Sequence, residues 1–243
     1  MIKYLHKFAN PARFLKIALP IKKISGILSA LTILVGLIFA LFVSPPDYQQ
    51  KETVRIMYIH VPCAWMSLMT YGFIVFNSII FLIWRFPLFL ILAKESISMG
   101  IIFTFSALIS GALWGKPTWG TYWVWDARLT SFLVLFFIFL GLKLIKDSFS
   151  YSTKGSYAFS YLALIGGFNL PIIKFSVDWW NTLHQPASIL RTGGVSINSE
   201  MLIPLFLMAI GFLLLFIYTL LVSVEINIKE KKLEIFKYNT NKN

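Results

Sequence analysis

Six long apolar runs, separated by short polar stretches, limit what this chain can fold into. They cover approximately Ile24 to Val43, Ala64 to Trp84, Ile97 to Leu113, Leu129 to Leu142, Ser156 to Ile173 and Leu202 to Val224. A hydrocarbon layer about 30 Å thick is crossed by roughly 20 helical residues. The runs are continuously apolar and do not alternate, which selects helices over barrel strands. With 58% hydrophobic and only 13% charged residues in 243, the chain carries more apolar surface than a soluble core absorbs. The expected fold class is all-α: a single integral membrane domain, residues 1–243, with six transmembrane helices. The fourth run is short and is expected to extend outward through Trp125 to Arg128, with Asp126 as its helix N-cap.

Orientation follows from the cations. The first, third, fifth and seventh inter-span segments hold sixteen of the 22 lysines and arginines, and the alternate segments hold six. The positive-inside rule then places both termini in the cytoplasm or its organellar equivalent. Residues 1–23 become a cytoplasmic N-terminal segment and 225–243 a cytoplasmic tail, frayed beyond Ile226. The net charge of +12 is accounted for by this topology, so no nucleic-acid partner is implied. No cleavable signal is expected, because the first run is a full span with no convincing small-residue cleavage site after it.

Polar chemistry gathers on the side opposite the termini. The external segment 114–128 contains WGKPTWGTYWVWD, with Trp114, Trp119, Trp123, Trp125 and Asp126. Seven of the eight tryptophans fall on that side, whereas an interfacial belt decorates both membrane faces. If Trp119 to Asp126 were helical, Trp119, Trp123 and Asp126 would share one stripe. Gly120 and Gly115 would leave gaps between the rings, giving a flat apolar platform suited to a planar macrocycle.

Of three histidines, His6 lies among basic N-terminal residues and reads as a surface residue. His60 and His184 fall in the two outer loops flanking the tryptophan segment, and each is followed two residues later by proline, Pro62 and Pro186. A proline near a first helical turn would set each imidazole at a helix mouth. Two neutral imidazoles on opposite faces of a haem iron complete its six-coordination. Haem also carries two propionates, and three of the five arginines are external: Arg55, Arg128 and Arg191. Their planar forks suit carboxylates.

Other classes are disfavoured. No phosphate-binding glycine loop is present, so the chain does not itself draw on ATP. The single cysteine, Cys63, excludes a C-x-x-C-H covalent haem attachment and reads as a small packing residue. The span centres lack Asp, Glu, Lys and Arg, which argues against an ion-coupled transporter. Only Asn77 and Asn169 would suit a polar pathway. A b-type cytochrome that passes electrons across the bilayer would want histidines inside facing helices, and none is placed there.

The run WGKPTWGTYWVWDARLTS, with its W-G-x-x-W-x-W-D core at Trp119, Gly120, Trp123, Trp125 and Asp126, resembles the tryptophan-rich (WWD) signature of membrane haem-handling proteins of cytochrome c biogenesis. Six spans and one histidine in each flanking loop are most similar to the haem exporter protein C (CcmC) family. The resemblance covers essentially the whole chain. It implies haem b held non-covalently and transiently at the outer face of a bacterial or mitochondrial inner membrane. His60 and His184 would be its axial ligands, and the tryptophan segment its platform. It further implies transfer to the haem chaperone CcmE, alongside the ABC-type subunits CcmA and CcmB and the small CcmD. The expected role is delivery before the covalent step, not catalysis. Rival readings are a b-type cytochrome electron carrier and a haem-free transporter or channel.

Overall fold

In a computed structural model, which describes residues 11–149, 152–185, 188–189 and 194–240, the chain is 85% helical with no strand among those residues. Helix α1, Pro11–Ile38, ends in a π turn at Phe39–Val43. A 3-10 turn, Glu52–Ile56, leads into α2, Met57–Trp84, and α3 is Pro87–Trp119. Then follow α4, Ala127–Ser148; α5, Thr153–Gly167; α6, Asn169–Trp179; and α7, Ser199–Thr240. These form six segments long and apolar enough to cross a membrane. Large apolar side chains such as Leu31, Leu34, Phe76, Ile102 and Ile165 face outward along them, which a bilayer tolerates and water does not.

The first and last spans lie against each other, and the four between them surround a core that includes Tyr71, Ile97, Leu135, Phe139 and Phe159. Close approach of α1 to α7 rests on Gly211: a Cβ there would stand 2.6 Å from Ile33. Small residues supply such contacts in membranes, where lipid removes the hydrophobic drive between helices. Cys63 is buried in the core.

Three expectations are corrected. The fifth span is not one helix but breaks at Phe168, whose N–H bonds to the Ile165 carbonyl at 3.2 Å. Pro171 has no N–H for the Gly167 carbonyl, so the helix restarts with proline in its first turn. The tail is not frayed after Ile226 but stays helical through Thr240. Its charged residues make pairs four apart, such as Lys229 with Glu225 at 2.6 Å, which support a solvated helix. Finally, the fifth run does not end at Ile173, because Lys174 to Trp179 continue α6.

Candidate functional site

One end of the bundle holds a cavity of about 240 Å³, to which α2, α3, α4 and the loop after α6 all contribute. His60, His184, Trp114, Trp119, Trp123 and Arg128 line it.

His60 sits one turn into α2 rather than in a loop, because helical structure begins earlier, at Glu52, than Pro62 suggested. Its Nδ1 is 2.9 Å from the Ala107 carbonyl and 3.2 Å from Ser110 Oγ. A carbonyl only accepts, so Nδ1 carries the proton and Nε2 keeps its lone pair. Trp114 meets the imidazole edge-on, with centroids 5.7 Å apart, and is itself fixed by Nε1–H donating to Gln50 Oε1 at 2.8 Å. Gly111 makes room for the ring: a Cβ there would lie 2.8 Å from His60 Cε1.

His184 lies in the loop, where its N–H bonds to Thr182 Oγ1 at 3.1 Å. Its Nδ1 is 2.8 Å from the Gln185 carbonyl, so this ring too keeps its lone pair on Nε2. Burial, and then the nearby Arg128 cation, hold its pKa below the ordinary histidine value; the Gln185 hydrogen bond and Asp126 oppose them. The imidazole is therefore neutral near pH 7 and fit to bind a metal.

The tryptophan segment is shaped differently from a helical stripe. Gly120 takes a left-handed conformation, φ 78°, and its N–H bonds to the Lys116 carbonyl, which stops α3 at Trp119. Asp126 caps α4 by accepting from Leu129 N–H at 2.8 Å. Residues 120–126 are thus a non-helical bridge between two capped helices. Trp119 and Trp123 line the cavity, whereas Trp125 is 75% exposed and meets Trp123 edge-on at 5.5 Å. Gly120 is also exposed and, like Asp126, is not among the cavity-lining residues. Two buried polar atoms here, Trp123 Nε1 and Asp126 Oδ2, lack a hydrogen-bond partner among the described residues.

Of the two described candidate arginines, Arg128 lines the cavity, anchored by Nη1–H to the Ile173 carbonyl at 2.7 Å. Arg55 is directed elsewhere, pairing with Glu52 at 2.6 Å and donating to the Ala40 carbonyl in the π turn. Arg191 lies outside the described residues, as do His6 and Pro186. Gln50 and the small residues Ala107 and Gly111 were not anticipated from the sequence; with Gly115, which was, the small residues are spaced by four along α3 on the cavity wall. Their spacing was visible, but small-residue stripes usually mark helix contacts.

The fold and site define a class: a multi-pass helical membrane protein with a cavity, at one end of its bundle, lined by two ligand-competent imidazoles, indole rings and a cation. The family model for haem exporter protein C matches residues 4–238. A haem exporter protein C of Bradyrhizobium diazoefficiens is 50% identical over 210 residues, 86% of this chain and 79% of the relative. One from Haemophilus influenzae is 41% identical over 222 residues, 91% and 90% of the two chains. A ccmC-like mitochondrial protein of Marchantia polymorpha, named for cytochrome c biosynthesis, is 49% identical over 176 residues, 72% of this chain and 74% of the relative. The chain belongs to the haem exporter protein C (CcmC) family.

Proposed function

We propose that this chain binds haem b non-covalently in the cavity and delivers it to the haem chaperone CcmE for cytochrome c maturation. In this reading it works beside CcmA, CcmB and CcmD and has no catalytic step of its own. The cation asymmetry orients the cavity away from the cytoplasm, on the outer face of a bacterial or mitochondrial inner membrane.

The observation that carries the reading is the pairing of His60 and His184 in one cavity, each with Nδ1 tied to a backbone carbonyl and Nε2 without a partner among the described residues. Among the described residues no three His, Cys, Asp or Glu side chains come together as a metal site. Two imidazoles suit a metal that arrives with its other ligands, and haem supplies iron already held by four pyrrole nitrogens. His60 and His184 would take the two axial positions, each oriented by its backbone hydrogen bond. Trp114, Trp119 and Trp123 would cover the macrocycle. Arg128 and the unpartnered Trp123 Nε1–H suit a propionate. Exposed Trp125 and Gly120 suit contact with the chaperone, and Arg191 remains a propionate-pairing candidate. Asp126 acts through the cap that sets the bridge.

The transporter and channel readings lose their pathway residues. Asn77 donates to the Phe73 carbonyl at 2.7 Å and Asn169 to the Ser131 carbonyl at 2.8 Å, so both amides serve the backbone.

The test is the visible spectrum of the purified chain with haem. A Soret band is expected. Trp123→Ala should lower haem retention several-fold, whereas Trp84→Ala, on the far end of α2, should leave it unchanged. Trp125→Ala should retain haem yet slow loading of the chaperone. Equal effects of all three would return the tryptophans to an interfacial role. No Soret band in the parent would remove the reading itself.

Acid should release haem because a protonated imidazole has no lone pair for iron. With the His184 pKa lowered, its neutral form persists below the ordinary value of about 6.5. The midpoint of acid release is therefore expected below that pH. Release centred above it would contradict the assigned environment of His184.

A further inference from the structure

The other end of the bundle contains a larger cavity, about 680 Å³, that the haem reading does not use. Its ionic lining is Arg85, Lys94, Lys146, Lys231, Glu95 and Glu230, and apolar side chains such as Phe81, Leu90 and Ile226 complete the wall. Lys146 and Glu95 pair at 2.9 Å and neutralise each other. Glu95 also accepts from Asn227 Nδ2 at 3.1 Å. Three cations then face one carboxylate.

Lys94 is the decisive residue. It is only 8% exposed, yet among the described residues no carboxylate lies within ion-pair distance of it. The Phe159 ring centroid stands 5.9 Å from its Nζ. A buried ammonium without an anion is costly. Asn227 Oδ1, in the same cavity, is likewise buried without a hydrogen-bond partner among the described residues.

The depth of the cavity identifies the anion. Lys22 pairs with Glu225 at 2.5 Å, and Glu95 bonds both Lys146 and Asn227. These contacts bring α1, α3, α4 and α7 to one level, where the apolar spans give way to ions. An end of the apolar spans where ions gather is the level a bilayer gives to its head groups. Basic pockets between transmembrane helices hold acidic head groups, and the apolar wall would take the first acyl carbons.

We infer that this cavity is a binding site for the phosphodiester head group of an anionic phospholipid, with Lys94 and Lys231 as its principal cations. The site is separate from the imidazole cavity and does not depend on what that cavity holds.

The probe is phosphatidylglycerol, titrated against phosphatidylcholine onto the full chain in detergent and read by native mass spectrometry. Phosphatidylglycerol should bind more tightly, and Lys94→Met should reduce that preference about fivefold, as expected for one interfacial cation. Lys231→Met, at the partly exposed rim, should do the same without altering a buried position. Equal binding of the two lipids would overturn the inference, as would undiminished preference in both variants. Displacement of phosphatidylglycerol by millimolar inorganic phosphate would assign the site to free phosphate and overturn the lipid.

Discussion

Replacing His60 by alanine is expected to abolish six-coordinate haem binding and to weaken retention by well over tenfold, with membrane insertion intact. The reasoning runs from the ring outward. Disturbing only the outer partner of a metal-binding histidine costs about 10–100-fold in affinity, and removal of the ligand itself costs at least as much. His60 is held by α3 through the Ala107 carbonyl and Ser110, and His184 is the one other histidine lining the cavity among the described residues. His184→Ala is expected to have a similar spectral effect with a smaller loss of retention, because its Nδ1 is held only by the adjacent Gln185 carbonyl and not by a neighbouring helix. Titration of haem onto each purified variant, followed at the Soret band, measures both. Wild-type affinity in both variants would remove the axial-ligand assignment.

Gly111→Ala should come close to the His60 variant although it adds one methyl group and deletes nothing. The new Cβ would lie 2.8 Å from His60 Cε1 and 3.2 Å from Nδ1. The ring would have to swing, and the hydrogen bond to Ala107 that fixes its tautomer would stretch. A loss of about 10–100-fold in haem affinity is expected, the range for disturbing an orienting partner. Gly72→Ala on α2 is the matched control, since nothing stands within 4 Å of a Cβ there; its haem titration should overlay the parent's. If Gly111→Ala titrates like Gly72→Ala, the imidazole does not need the position it occupies here.

Much of this architecture was legible in the chain because bilayer-spanning helices announce themselves through length and continuity. The six runs each became a span, and Asp126 caps α4 as a short acceptor before an apolar run should. The parts that were not legible depended on backbone bonding that no hydropathy pattern records. Gly120 stops α3 through a left-handed turn, so Trp119 and Trp123 meet the cavity across a bridge instead of along a stripe. The early 3-10 turn at Glu52–Ile56 carries His60 inside α2. The charged end of α7 reads as a loose tail until its Glu225–Lys229 pairing is seen.

The site divides in the same way. Histidine scarcity and tryptophan density pointed to residues that do share a cavity, namely His60, His184, Trp114, Trp119, Trp123 and Arg128. Arg55 shows the limit of that logic: its position beside the first outer loop looked suitable, but the π turn at Phe39–Val43 exposes the Ala40 carbonyl and draws the guanidinium away. Orientation within the cavity rests on Ala107, Ser110, Gly111 and Gln50, residues too ordinary in type to stand out in a sequence.

Electron paramagnetic resonance of the ferric haem-loaded chain tests the central claim most directly, because spin state reports how many strong axial ligands iron has. Two imidazoles predict a low-spin signal in the parent that gives way to a high-spin one in His60→Ala and again in His184→Ala. A high-spin parent, or a low-spin signal surviving in both variants, would contradict it.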